Sequence, residues 1–333
     1  LMTGRYSART GVWSTLAGCY IPMADEVTLG HVFSEAGYRT AMFGKWHLGD
    51  TYPYSPEHRG FQHVVRHAGG VIGEVPDYWN NDYFDDHYCK NGIWQKFDGF
   101  CTDVWFDEAM DFIGANEDEP FFCYLATNSP HGPFNVEDRY KLFFEDRGFP
   151  ENRIGFYGLI CNLDENLGHL LDFLDTEGLS EDTIVIFIGD NGTSVGAFAS
   201  KSLAGLKPVV SPKTGYNAGM RGTKSWPYEG GHRTFCFVRW PGGAVEPDKD
   251  IGGLAAHIDL MPTLMELCGI KAQTKPLDGM SLAMQLQGLE AEFPQRSIVV
   301  HNMQLETPRK YKDFCVMNDR WRLVRTQIWN QPQ

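Results

Sequence analysis

Apolar residues along this chain repeat with two different periods in turn, and that alternation constrains the fold more than any other feature. Steps of three and four at Phe156, Ile160, Leu163, Leu167, Leu170 and Leu174 mark a long helix over residues 151–174. The run over residues 183–188 is instead continuous, β-branched and aromatic, the pattern of a central parallel strand covered on both faces. Further helices are expected over 28–36, 102–113 and 260–267, and strands over 38–43, 120–126 and 233–240. Helices and strands in alternation build an α/β fold, a mostly parallel sheet sandwiched by helices. After Arg296 the pattern shortens to strands over 297–301, 314–317 and 320–325, with Asn318-Asp319 as a hairpin turn. The expected organisation is one α/β domain over residues 1–292 and the start of a small antiparallel subdomain over 293–333.

Composition excludes several classes. With 29 Lys+Arg against 43 Asp+Glu the net charge is −14, which argues against nucleic acid or an anionic membrane surface, since both require an extended basic face. The longest aliphatic run, residues 184–188, is too short to span a bilayer. The eight cysteines show no CxxC and no histidine at zinc spacing, so a zinc site is not expected. Most lie in apolar strings such as Phe121-Phe122-Cys123-Tyr124 and read as buried thiols. Cys89 and Cys101 flank a turn-rich stretch, and whether they pair depends on the compartment.

Charge is distributed unevenly. Between Asn191 and Tyr228 lie five basic residues, Lys201, Lys207, Lys213, Arg221 and Lys224, and no acid. This island follows the carboxyl end of a strand, the edge where open α/β sheets bind ligands, so it reads as an anion site or as a solvated loop. At the same strand end, Asp190 and Asn191 offer adjacent hard oxygen ligands suited to Ca²⁺ or Mg²⁺, although Asp-Asn-Gly is also an ordinary turn. Lys45 and His47 follow another strand two positions apart, so an extended backbone points both the same way, a cation beside a titratable ring. His131, between Pro130 and Gly132-Pro133, ends a third strand. No GxSxG or HExxH occurs, and Gly222-Thr223-Lys224 matches a P-loop only superficially. The set describes a site for a divalent cation and a multiply negative tetrahedral group. Tyr78, Trp79, Trp226 and Tyr228, with Asp82, Asp85 and Asp86, read first as core aromatics and second as a sugar-binding surface.

These motifs, in this order, resemble the sulfatase family of the alkaline-phosphatase superfamily. The resemblance runs from Leu1-Met2-Thr3-Gly4-Arg5-Tyr6 through Gly44-Lys45-Trp46-His47-Leu48-Gly49, Arg59-Gly60-Phe61, Pro130-His131-Gly132-Pro133, Gly189-Asp190-Asn191-Gly192 and Gly222-Thr223-Lys224. It continues through Glu229-Gly230-Gly231-His232-Arg233 to His257-Ile258-Asp259-Leu260-Met261-Pro262-Thr263. It implies sulfate-ester hydrolysis through a formylglycine, made from a Cys or Ser upstream of Leu1, whose diol attacks sulfur. Lys45 and His47 would contact that diol, and His131 and Lys224 would bind the sulfate ester. Asp190 and Asn191 would form half of a shell for Ca²⁺, preferred to Mg²⁺. The expected substrate is a sulfated glycan, preferred to a small aryl sulfate, and the expected compartment is periplasmic, lysosomal or extracellular. Because the nucleophile and the remaining ligands would precede Leu1, the 333-residue polypeptide is expected to be a fragment that is inactive alone. Two alternatives stay open: a phosphomonoester or phosphodiester hydrolase of the same superfamily, and a non-catalytic binder of sulfated glycans.

Overall fold

The computed structural model describes residues 1–15, 20–21, 25–194, 217–243, 245–289, 292–302 and 307–326. Lys201, Lys207 and Lys213 of the basic island, and Cys19, lie outside the described residues. The main sheet is built from β1 (Arg39–Gly44), β2 (His63–Arg66), β3 (His87–Lys90), β4 (Ile93–Lys96) and β5 (Phe121–Ala126) in the order β4-β3-β2-β1-β5. β1 runs parallel to both β2 and β5, while β3 and β4 extend the sheet antiparallel. Side chains alternate across β1: Ala41 and Phe43 join Val65 and Trp105 on one face, and Met42 joins Leu29, Phe33, Val64 and Met261 on the other. Both faces are therefore dry around the strand's middle, where Ala41, Met42 and Phe43 follow one another without a polar break.

Helices α1 (Leu29–Glu35), α2 (Cys101–Gly114), α3 (Asp138–Glu145) and α4 (Glu151–Thr176) match the expected elements, α3 being additional. The Thr28 hydroxyl caps α1 by accepting the His31 amide, and the His31 ring accepts the Thr28 amide in return. Arg59-Gly60-Phe61 holds α1 to the sheet. A Cβ on Gly30 would lie 2.5 Å from the Arg59 carbonyl oxygen, and one on Gly60, at φ +91°, 2.2 Å from the Gly30 carbonyl carbon. That motif serves packing.

Residues 183–188 depart from the expectation. Strand β6 (Val185–Ile188) is half-exposed along its length and pairs antiparallel with β7 (Cys236–Arg239) in a separate two-stranded sheet. Among the described residues, neither the outer edge of β5 nor the second edge of β6 pairs with a strand. β-branched residues report a fit to a pleated surface, and that preference does not specify which neighbour covers it. The C-terminal strands β8 (Ile298–His301), β9 (Phe314–Met317) and β10 (Arg322–Arg325) form the expected antiparallel sheet. The Asn318 side chain makes its turn, accepting the amides of Arg320 and Trp321. Cys89 and Cys101 are free, buried thiols. Cys236 is exposed, contrary to the buried reading. Among the described residues no helix is long and apolar enough to cross a membrane.

A buried hydrogen-bond chain ties together the ends of β2 and β5. Trp105 Nε1 donates to Asn128 Oδ1 (3.1 Å), Asn128 Nδ2 donates to His67 Nε2 (2.9 Å), and His67 Nδ1 donates to the Ala68 carbonyl (2.9 Å). Each His67 nitrogen already has its role, and burial pushes the imidazole down to about 4. An unfolded histidine titrates near ~6.5, so as pH falls from there the unfolded chain takes up a proton that the folded chain refuses. By pH 5 this difference is expected to cost about 2 kcal/mol of stability, at ~1.4 kcal/mol per pH unit. Urea midpoints at pH 7 and pH 5 check it: the loss should shrink by that amount in His67→Gln, which cannot titrate.

Candidate active site

The site begins where β1 stops. Gly44, at φ +95°, faces the Ala126 carbonyl oxygen so closely that a Cβ would lie 2.3 Å away, and the Lys45 amide donates to that oxygen at 2.8 Å. Lys45 thus leaves the sheet beside the end of β5. His47 is not extended, as the two-residue spacing had implied; its φ is +54°. The strand has ended at Gly44, and a left-handed turn aims the ring instead. His47 Nε2 donates to the Thr15 carbonyl (3.0 Å), which leaves Nδ1 to accept a proton, and Gly70 packs against the ring, where a Cβ would meet Cε1 at 2.4 Å. His131, after β5, donates Nδ1–H to the Gly132 carbonyl at 2.6 Å and keeps Nε2 for a ligand.

Lys224 arrives from a distant loop by backbone contact. Its amide donates to the Thr193 carbonyl (3.0 Å), the Gly192 amide to Gly231 (3.1 Å) and the Gly230 amide to Arg221 (2.8 Å). A Cβ on Gly192 would lie 2.1 Å from the Gly230 oxygen, and one on Gly230 2.2 Å from the Gly222 oxygen. Only glycine permits this approach. The short helix α5 (Glu229–His232) completes the clamp.

Electrostatics show which groups share one space. Burial lowers the Lys45 ammonium, the positive charge of Lys224 lowers it further, and Asp190 opposes both. Burial likewise depresses His131; its Gly132 hydrogen bond opposes the change, Lys224 and Lys45 add to it, and Asp190 counters. His47 is lowered by burial and then by Lys45. Lys224 and Asp190 therefore both act on Lys45 and His131 at the carboxyl ends of β1 and β5, and Lys45 acts on His47.

Sequence reasoning gave no role to His257, whose Nε2 donates to the Gly189 carbonyl at 2.8 Å, directly before Asp190. Asp259 lies two residues on. That carboxylate is buried (1% exposed) and anchors the segment by accepting from Arg296 (2.7 Å), the Ala256 amide (2.7 Å) and the Met280 amide (3.0 Å). The aromatic residues also differ from expectation. Trp79 is 84% exposed and Tyr78 and Trp226 are each 38% exposed, so none belongs to the core. Tyr228 lies under the Arg221 guanidinium, 4.0 Å from its ring centre.

Asp190 and Asn191 are hard oxygen donors, and they fit one side of a divalent-cation shell. Among the described residues no group of three or more His, Cys, Asp or Glu side chains comes together to complete one.

The sulfatase family model matches residues 1–270, most of the chain and every residue of this cluster. The chain belongs to the sulfatase family. Among curated relatives, the uncharacterized sulfatase YdeN of Escherichia coli K12 is 28% identical over 328 residues, covering 90% of this chain and 53% of that protein. Arylsulfatase A of Homo sapiens is 27% identical over 332 residues, covering 90% of this chain and 59% of its own length. This sulfatase chain thus spans little more than half of the relatives it matches. Among solved structures, Ps i-CgsB in complex with k-i-k-neocarrahexaose superposes with a TM-score of 0.81 at 25% identity, covering 99% of this chain and 72% of that one. The phosphonate monoester hydrolase of Agrobacterium radiobacter shares the fold, with a TM-score of 0.64 at 17% identity over 98% of this chain and 76% of its own.

Proposed function

We propose that the complete protein hydrolyses sulfate esters at the carboxyl edge formed by β1, β5 and β6. The observation that carries this reading is the convergence of Lys45 and His131, from two strand ends, and Lys224, from a distant loop, on the neighbourhood of Asp190. Two ammonium groups placed before reaction stabilise the charge that builds on the sulfate oxygens as the ester bond breaks. His131 Nε2 is the ring nitrogen left over by the Gly132 hydrogen bond, and the negative charge of a bound sulfate ester offsets part of the repulsion from the two lysines, favouring a protonated ring that can serve the leaving oxygen. His47, with Nε2 committed to Thr15, accepts a proton at Nδ1. The family's formylglycine supplies the attacking oxygen when present. Asp190 and Asn191 would hold one side of a Ca²⁺ ion, whose charge would screen the sulfate.

A sulfated carbohydrate is the proposed substrate class. In support, Ps i-CgsB was solved with a neocarrahexaose, and BT4656, which shares the fold (TM-score 0.73), with D-glucosamine-2-N,6-O-disulfate. Ion chromatography of a sulfated oligosaccharide and of an aryl sulfate incubated with the complete protein tests the proposal. Sulfate release from the oligosaccharide is expected. Phosphate release from phosphate monoesters without sulfate release would establish the phosphatase alternative. Tight glycan binding with neither product would establish a binder.

A further inference from the structure

A cavity of about 560 Å³ is lined entirely by residues of the loop from Tyr78 to His87. Its wall carries Trp79, 84% exposed, and Tyr78, which stacks on His87 with ring centres 4.2 Å apart at 13°. Asp82 and Asp85 are exposed on its rim. Each carboxylate has one oxygen committed to a local amide, Phe84 (3.4 Å) and Gly99 (2.8 Å) respectively. The loop is held rigidly from below. Buried Asp86 accepts the amides of Asp82 and Tyr83, and Asn81 bonds both ways with the His87 backbone. This support keeps Asn80, Tyr83 and Asp85 in left-handed conformations. An indole held in water by an over-determined loop is costly unless something covers it.

Two segments tie the loop that lines the cavity to the site residues. The segment that reaches Tyr78 starts at Gly70 against His47 and is braced by Asp77, which accepts the Ala68 amide (3.0 Å) and, at its other oxygen, the Gly73 amide (2.9 Å). On the other side Asn135, four residues beyond His131, donates to the Asp82 carbonyl at 3.3 Å.

We propose that this cavity binds an uncharged sugar ring of the same glycan whose sulfated ring sits among Lys45, His131 and Lys224. The inference rests on the sulfate-ester reading for its place in the substrate, and on its own chemistry for the ligand. The flat, apolar face of a pyranose covers the Trp79 indole, and its hydroxyls donate to the outward carboxylate oxygens of Asp82 and Asp85. The same carboxylates repel a sulfate or uronate, so the pocket distinguishes an unsulfated ring from a sulfated one by charge.

Tryptophan fluorescence titration and calorimetry of the 333-residue chain with unsulfated galactose and glucose hexasaccharides, and with their sulfated forms, test it. At least one neutral hexasaccharide should bind, and Trp79→Ala should weaken it about tenfold or more without altering the circular dichroism spectrum. Asp82→Asn should improve binding of the fully sulfated form relative to the neutral one. No binding of either neutral hexasaccharide, or equal affinity in Trp79→Ala, overturns the assignment. The two readings fail separately. Trp79-dependent glycan binding without sulfate release from the complete protein removes the sulfatase reading alone, and aryl-sulfate turnover with Trp79-independent glycan binding removes this one alone.

Discussion

Lys224→Ala in the complete protein is expected to lower kcat for sulfate release by about 10² to 10³, the usual cost of removing one preorganised charge donor from a transition state. The size of the loss follows from its placement. The Lys224 backbone, through the Thr193 hydrogen bond, fixes the loop, while the ammonium is left to act on the space it shares with Lys45 and Asp190. Truncating the side chain should therefore leave the melting temperature almost unchanged. Lys224→Arg keeps the charge but moves it outward and spreads it over a planar group, so partial recovery is expected. Steady-state kinetics beside thermal melts check both statements. Activity within twofold of wild type in Lys224→Ala would remove this residue from the site.

Asp259→Ala carries the largest expected effect on stability. The carboxylate is buried, and it joins the Arg296 guanidinium to two backbone amides that turn the chain from residue 256 into helix α6 (Leu260–Leu267). Losing one partner of a buried ion pair leaves the other uncompensated, at about 3 to 5 kcal/mol. A domain with ordinary stability of about 5 to 15 kcal/mol would lose a large part of it. Urea denaturation should show a lower midpoint in Asp259→Ala, a similar shift in Arg296→Ala, and a double variant well short of the sum. Additive losses would mean that the two side chains act independently. Because His257 sits two residues earlier and bonds Gly189, the same change should also loosen the backbone that presents Asp190.

Much of this was legible in the sequence, and the reason differs between fold and site. Helices α1, α2, α4 and α6 and strands β1, β5 and β9 carry their own periodicity, so local pattern located them within a few residues. Lys45, His131 and Lys224, the residues proposed for the site, could be singled out because the first two follow strand ends and the third lies in an acid-free stretch, segments that the fold brings to one sheet edge. What stayed hidden depends on contacts between remote segments. β6 looked central because its residues suit any pleated surface, yet its partner is β7. The left-handed turn at His47 follows from Gly44 ending the strand against Ala126 and from Gly70 receiving the ring. The exposure of Trp79 is set by Asp86 and Asn81 bracing the loop from beneath, which composition could not separate from core packing.

The clamp of Gly192, Gly222 and Gly230 seats Lys224 largely by main chain against main chain, with the Tyr228 and Trp226 side chains closing on Gly222. The charge proposed to bind sulfate thereby depends on backbone contacts more than on the exposed side chains of Arg221 and Ser225 on the same loop. Trp79 sits on a second, separately braced loop. A lineage built this way can revise what it recognises through one loop while the other keeps the chemistry in register, so substrate range and catalytic power can change one at a time.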